Sequence, residues 1–133
     1  MASSSAGFHE SDDVLQPGTK DRHRAIVSLM EELEAVDWYD QRIDAAGDED
    51  LRGILRHNRD EEKEHASMLL EWLRRQDAAW DKFLRIYLFS DGPITDLAEA
   101  VEAGEADEGG GPGAPGAPSS SLGLGALVGK EML

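Results

Sequence analysis

Two long helix-forming segments, joined by a very short connection, constrain the fold of this chain more than any other feature. The first runs from Thr19, a favourable N-cap residue, to Ala46, and the second from about Glu49 to Gln76, with Asp48 placed to cap its start. At a rise of about 1.5 Å per residue, each segment spans roughly 40 Å. A connection as short as residues 46–48 predicts that the two helices lie side by side as an antiparallel hairpin.

Shorter helical segments are predicted after the hairpin. An apolar segment over residues 78–89 ends before the Gly92-Pro93 pair, and residues 94–103 are predicted to form a short amphipathic helix of a turn or two. The predicted fold class is therefore all-α: an antiparallel two-helix hairpin plus a short C-terminal helix.

Composition divides the chain into four segments. Residues 1–18 mix Ser, Gly and Asp without apolar periodicity, which predicts a flexible N-terminal arm before a helical domain over residues 19–103. Residues 104–120 are mostly Gly, Pro, Ala, Ser and acidic residues, which is typical of a disordered linker. Residues 121–133 begin with the apolar run Ser121–Val128. An apolar motif after such a linker is typical of a binding segment, although a tail with incidental leucines would look the same.

The net charge of the chain limits the classes of partner that it can bind. With 28 acidic and 13 basic residues the net charge is −15, which argues against nucleic acid and anionic membranes as partners and favours cations. The absence of cysteine leaves carboxylates and imidazoles as the metal ligands. The N-terminal residues lack the features of a signal peptide, and no apolar run approaches the roughly 20 residues that span a bilayer. We expect a soluble, cytoplasmic protein.

Both long helices carry an apolar stripe that polar residues interrupt. Glu32 interrupts the stripe of the first helix, and Glu62 and His65 interrupt the stripe of the second. A partly buried carboxylate or imidazole is costly unless it is paired or bound to metal. At spacings of three and four residues, the stripes are Leu29, Glu32, Val36, Tyr39 and Ile43, and Leu51, Leu55, Asn58, Glu62, His65, Leu69 and Trp72.

Glu62 and His65 form a Glu-x-x-His element, whose two side chains project from the same side of a helix and can hold one metal ion. Ferritin-like diiron bundles use four helices, two with one Glu each and two with a Glu-x-x-His each. This chain contains one helix of each kind and no internal repeat. The sequence therefore predicts half of a ferritin, which forms a four-helix bundle with two metal ions when two copies pair.

Residues around this set have weaker indications. Tyr39 lies two turns beyond Glu32, where its hydroxyl reaches a ligand carboxylate or where its ring simply packs in the core. Acidic neighbours of Glu32 either pass metal inward or form an ordinary exposed face. A row on another face of the second helix either binds a peripheral ion, with Ca²⁺ as a candidate, or is a solvated charged face. These residues are Glu31 and Glu34 for metal access, and His57, Glu61 and Glu64 for the peripheral site.

Three blocks of the sequence strongly resemble the encapsulated ferritins: Arg22–Arg42, His57–Arg75 and Tyr87–Ile94. The resemblance implies a ferroxidase centre that forms between two chains, with two iron ions per dimer interface. It places the ligands of that family on Glu32, Glu62 and His65, its nearby aromatic residues on Tyr39 and Trp38, and its acidic access residues on Glu31 and Glu34.

The same resemblance implies an assembly and a location. It implies a ring of five dimers, a homodecamer. Ser121–Leu127 is similar to the peptide that docks such proteins inside an encapsulin shell, so the expected location is an encapsulin nanocompartment in the cytoplasm. The chain departs from that pattern by continuing to Leu133 and by carrying a long, Pro-rich linker, which leaves the docking geometry open.

Two other functions fit part of the sequence. A different ferritin-like diiron oxidoreductase, such as a peroxide reductase, is disfavoured because the chain has no cysteine for an electron-transfer module. A non-enzymatic, acidic cargo protein that buffers metal would need the same ligands. Iron-dependent consumption of dioxygen separates it from a ferroxidase.

Overall fold

The computed structural model describes residues 7–104. This part of the chain contains helices and no strand, and it begins with a 3-10 turn at Asp12–Val14. The four α-helices are α1 (Pro17–Ala45), α2 (Glu49–Gln76), α3 (Ala78–Tyr87) and α4 (Ile94–Glu102). The predicted all-α class is confirmed, and α1 and α2 pack against each other as the predicted hairpin.

The helix bounds follow local signals in the sequence. The bounds of α2 agree with the prediction, and the Asp48 carboxylate accepts a hydrogen bond from the backbone N–H of Leu51 at 2.8 Å. The start of α1 was predicted two residues too late, because Pro17 has a pre-set φ and needs no hydrogen-bond acceptor in the first turn. The end of α3 was predicted two residues too late, since Leu88 is extended and Phe89 has a φ of 59°.

The seam between α1 and α2 is rotated slightly from the predicted stripes. All five residues of the predicted α1 stripe are partly covered. On α2 the covered line passes through Glu62, Ala66 and Leu73, while Leu51, His65 and Trp72 remain exposed along its edge. The error arose because a regular three-and-four spacing marks a helix face only to within about one residue. Leu73, at 1% exposure, is the most deeply buried large side chain of the described residues.

Charged side chains fasten the ends of the hairpin. At the turn, Arg52 Nε donates to the carbonyl oxygen of Ala46 at 2.6 Å. At the other end, Arg74 forms salt bridges with Glu71 of α2 and Asp81 of α3, which ties α3 to the end of α2. Asp77 caps α3 by accepting from the backbone N–H groups of Ala79 and Trp80.

The segment before α1 contacts the first turns of that helix. Lys20 Nζ lies 2.9 Å from Asp12 Oδ1, and the rings of Phe8 and His23 meet edge to face with centroids 4.8 Å apart. The helix α4 belongs to a second compact unit, which begins at Gly92. Within residues 7–104, no helix combines the length and the apolar character that crossing a membrane requires.

Large apolar side chains remain on the surface of the single hairpin. Burial of apolar surface contributes about 25 cal/mol per Å², and contiguous exposed patches are typical of interaction sites. Because the hairpin buries few apolar residues of its own, a second layer of helices over these side chains would stabilise it. The exposed apolar residues of the two long helices are Ile26, Met30, Leu33, Trp38, Leu51, Ile54, Met68 and Trp72.

Candidate metal centre

Glu32 of α1 meets Glu62 and His65 of α2 near the middle of the hairpin. His65 Nδ1 lies 3.1 Å from Glu62 Oε2 and 3.7 Å from Glu32 Oε2. One ligand atom from each of the three residues lies within 4.8 Å of the others. Among the residues that the structure describes, this is the one group of three His, Asp or Glu side chains close enough to hold a metal ion together.

The site is half open to solvent. The side chains of Glu32 and Glu62 are 25% and 23% exposed because they lie in the seam, whereas His65, at the edge of the seam, is 47% exposed. The i to i+3 spacing of Glu62 and His65 brings them together along one helix, and the packing of α1 supplies Glu32 from across the seam. The cluster is therefore open to solvent on the side of His65.

The two carboxylates perturb each other. A hydrogen bond with Glu62 raises the pKa of Glu32, and partial burial and the negative charge of Glu62 raise it further. The same interaction lowers the pKa of Glu62, so Glu32 is the carboxyl of the two that binds a proton first as the pH falls. A hydrogen bond to Glu62 also raises the pKa of His65, with a further contribution from the charge of Glu32. Protons and a cation therefore compete for the same three side chains.

The geometry of the three donors fits a metal ion. Two donors bound to one first-row metal ion, each at about 2.1 Å, lie at most roughly 4.2 Å apart. The three donor atoms lie within 4.8 Å of one another, slightly wider than this limit, so binding requires the side chains to move inward. Two carboxylates and one imidazole form a mixed oxygen and nitrogen set, which suits Fe²⁺ and stabilises the harder Fe³⁺.

The predicted aromatic neighbours form a small cluster with a cation. The Arg42 guanidinium lies 5.4 Å from the centroid of the Tyr39 ring and 5.8 Å from that of Trp38. Tyr39 is partly covered, in line with its place on the α1 stripe, while Trp38 is exposed. Sequence reasoning did not identify Arg42, although its spacing of three and four residues from the two rings was a usable signal.

The other predicted metal ligands lie apart from the cluster. Glu31 and Glu34 are exposed on the outer side of α1, and their role in metal access stays a prediction. His57 Nε2 lies 3.1 Å from Glu61 Oε1 on the exposed surface of α2. Glu64 is not brought into a group of three with them in the described part of the chain, and a peripheral site for Ca²⁺ or another ion also stays a prediction.

The structure shows a salt bridge between Asp40 of α1 and Arg59 of α2 that sequence reasoning missed, because no local spacing links residues 19 positions apart. The linker predicted over residues 104–120, apart from Gly104, and the segment Ser121–Leu127 lie outside the described residues.

The chain is similar to proteins of known families along its whole length. The model of the EncFtn-like family matches residues 7–91. The encapsulated ferritin-like protein of Rhodospirillum rubrum is 59% identical over 134 residues, which cover all of this chain and 96% of that protein. The encapsulin nanocompartment cargo protein EncC of Myxococcus xanthus is 41% identical over 51 residues, 38% of this chain and 39% of that protein.

A solved structure is also similar to this chain. The crystal structure of a protein from Nitrosomonas europaea superposes with a TM-score of 0.65 at 60% identity, and the match covers 66% of this chain and 97% of that one. The resemblance inferred from the sequence is thereby confirmed, and this chain belongs to the encapsulated ferritin-like (EncFtn-like) family.

Proposed function

We propose that this protein is a ferroxidase, which oxidises Fe²⁺ to Fe³⁺ at a two-iron centre shared between two copies of the chain. The observation that carries the proposal is the convergence of Glu32, Glu62 and His65 to within 4.8 Å across the seam of the hairpin. These are the residue types of one half of a diiron site. A second copy, related by a two-fold axis, supplies the other half.

Two properties of the single chain support a shared site. His65 is half exposed on the open side of the cluster, which leaves room for ligands from another chain. The hairpin also exposes apolar residues that a second hairpin would bury, so the complete unit is a four-helix bundle made of two chains. Following the resemblance to encapsulated ferritins, we propose that five such dimers form a ring.

Iron is the substrate of the proposed reaction. Each Fe²⁺ gives up one electron, so two ions together reduce one dioxygen molecule, which takes up two protons and becomes hydrogen peroxide. Glu32, Glu62 and His65 of each chain would hold the ions, with the two Glu62 carboxylates as the ligands common to both. We assign Tyr39 to hydrogen bonding near the ligands, and Glu31 and Glu34 to iron access.

We also propose that the protein is cargo of an encapsulin shell. The relationship to an encapsulated ferritin-like protein and to an encapsulin nanocompartment cargo protein supports this assignment. The docking segment would be Ser121–Leu127, which an acidic linker joins to the helical domain. Oxidised iron would then leave the ring and mineralise within the shell, for iron storage and detoxification.

Oxygen consumption and oligomer mass together test the shared ferroxidase site. The full chain is mixed with Fe²⁺ in an oxygen electrode, and its mass is measured by native mass spectrometry with iron and with a chelator. We expect rapid iron-dependent oxygen uptake and an even number of chains. The variant Glu62→Ala removes one of the proposed ligands. Its matched control is Glu61→Ala, because the two carboxylates are neighbours on α2 and only Glu62 faces α1. A protein that binds iron without consuming oxygen would be a metal buffer, and a monomer in the presence of iron would rule out a shared site.

Removal of residues 121–133 tests the cargo assignment separately. The truncated chain should lose co-purification with a co-expressed encapsulin shell and should keep its oxygen uptake, because the deletion leaves the hairpin intact. Equal capture of the truncated and the full chain by the shell would overturn the role of Ser121–Leu127 without affecting the ferroxidase proposal.

A further inference from the structure

A second polar link joins α1 and α2 close to the candidate metal centre. Arg59 Nη1 of α2 donates to Asp40 Oδ1 of α1 at 2.9 Å. Asp40 lies eight residues beyond Glu32 on α1, and Arg59 lies three residues before Glu62 on α2. The link therefore lies within about two to three helical turns of the cluster on α1 and one turn on α2.

The guanidinium of Arg59 is held from two sides. Its Nε donates to Asp60 at 3.0 Å while its Nη1 donates to Asp40, so carboxylates of both helices contact the same planar group. Lys63 lies 3.3 Å from Asp60 and completes a row of four alternating charges. The Arg59 side chain is 23% exposed, and its hydrogen bonds with Asp40 and Asp60 raise its pKa, so it stays a cation.

The direction of this link matters for the position of α1 against α2. Glu32 and Glu62 face each other and mark one level along the antiparallel hairpin. From that level, Asp40 lies eight residues along the axis and Arg59 lies three residues along it in the same direction. Their backbones are therefore offset by about five residues, roughly 7.5 Å. Helical side chains lean toward the N-terminus of their own helix, so in an antiparallel pair these two side chains lean toward each other. The salt bridge is thus diagonal to the helix axes, and a diagonal link resists sliding of one helix along the other.

Resistance to sliding is useful here because the cluster brings together two carboxylates from different helices. Two carboxylates that face each other repel when both are ionised. The core that joins the helices is small, with only Ala25, Ala66 and Leu73 buried among the described apolar residues. A slide of one residue, about 1.5 Å, would spoil ligand distances that must be correct to a few tenths of an ångström.

We propose that the Asp40–Arg59 salt bridge is a positioning pair, which sets the register of α1 against α2 and so holds Glu32 opposite Glu62 and His65 for metal binding. The inference rests on the metal site of the proposed function and is independent of its oxidation chemistry. Neither residue is a ligand, and their effect on metal passes through the helix register.

A titration with Co²⁺ tests this role, because its visible spectrum reports on ligand geometry. The full chain and the variants Asp40→Asn and Arg59→Gln are titrated at one fixed chain concentration. We expect each variant to bind Co²⁺ about 5-fold more weakly, less than the roughly 10-fold to 100-fold typical of residues that are hydrogen-bonded to a ligand. The spectrum of the bound ion should also change. The melting temperature of the metal-free chain should barely move, because an exposed salt bridge contributes little to the free energy of unfolding.

The control variant is Glu49→Gln, which removes a salt bridge with Arg56 of similar length, 2.7 Å, within α2 alone. It should leave both the Co²⁺ affinity and the spectrum unchanged. The exchange variant with Asp40→Arg and Arg59→Asp together should recover most of the lost affinity, which a general loss of structure would not allow.

The outcomes separate the two proposals. If Asp40→Asn and Arg59→Gln bind Co²⁺ as the Glu49→Gln control does, or if the exchange variant recovers nothing, the positioning role is wrong. If the wild-type chain binds no Co²⁺, the metal site and the positioning pair both fall. If the expected affinities are found and the wild-type chain consumes no oxygen with Fe²⁺, the ferroxidase proposal is wrong and the positioning role is supported.

Discussion

The helix α2 carries two pairs of glutamate and histidine that look alike locally and differ in what surrounds them. In both pairs a ring nitrogen lies 3.1 Å from a carboxylate oxygen, between His65 and Glu62 in one and between His57 and Glu61 in the other. The first pair faces α1 and gains Glu32 as a third donor. The second pair faces solvent, with side chains 70% and 54% exposed.

The comparison shows that spacing along one helix did not bring three potential metal ligands together in the exposed pair. A pair at i and i+3 or i+4 can form on any exposed helix and contributes only a few tenths of a kcal/mol. A third donor has to come from another element, and in this hairpin only the inward-facing pair receives one.

The largest difference is expected in metal affinity. Glu62→Ala should weaken Co²⁺ binding by at least about 100-fold, because it removes a proposed ligand rather than a neighbour of one. Glu61→Ala, the matched change in the exposed pair, should alter the affinity less than about 2-fold. Calorimetric titration of both full-length variants measures this contrast. Equal losses in the two variants would show that the exposed pair also binds the ion.

The second difference is expected in the pH dependence of binding. The pKa of His65 is raised by Glu62, and metal ligation needs the neutral imidazole. Protons should therefore compete with metal below that raised pKa, and affinity should fall about 10-fold per pH unit on the acid side, with a steeper loss where Glu32 also binds its proton. Titrations between about pH 5.5 and pH 8 test this, with His57→Ala as the control that keeps the slope. An affinity independent of pH over this range would contradict the assignment of His65 as a ligand.

The smallest difference concerns the stability of the metal-free chain. The folded pKa of Glu32 is raised, so its ionised form destabilises the fold near neutral pH, and this penalty disappears as the pH falls through the raised value. Glu32→Gln keeps a hydrogen-bonding group without the charge and should stabilise the chelated chain by about 0.5 kcal/mol at neutral pH. Glu61→Gln has no facing carboxylate to relieve and should not stabilise it.

Chemical denaturation in the presence of a chelator measures both of these variants. The added stability of Glu32→Gln should shrink in acid, where the wild-type carboxyl is already protonated. If Glu32→Gln destabilised the metal-free chain, the interaction between the two facing carboxyl groups would be stabilising. The proposed repulsion between them would then be wrong.

Most of the fold could be predicted because its signals are local. A cap at Asp48, a short connection at residues 46–48 and long periodic segments led to the all-α hairpin and to the bounds of α2. Local signals also account for the errors at the helix ends, since Pro17 and the positive φ of Phe89 shift a boundary by two residues without altering the fold. The family resemblance was also readable in the sequence, because its motifs are contiguous blocks.

The candidate site could be predicted only in part. Residue types and helical spacing identified Glu32, Glu62 and His65 as unusual on apolar stripes, and the structure brings these three together. The stripe itself was less accurate, since His65 lies at the edge of the seam rather than within it. The rotation of a helix about its axis depends on how its side chains interlock with a neighbour, which periodicity alone does not specify.

The helices and the chemical nature of the candidate donors could be read from the sequence alone, because they depend on residue identity and on neighbours within one or two turns. Two features depend on how the helices pack. Only one of the two similar Glu/His pairs acquires a third carboxylate, and Arg59 reaches Asp40 across the seam. Such contacts join residues far apart in the chain, and their distances are set by the packing of one helix against another.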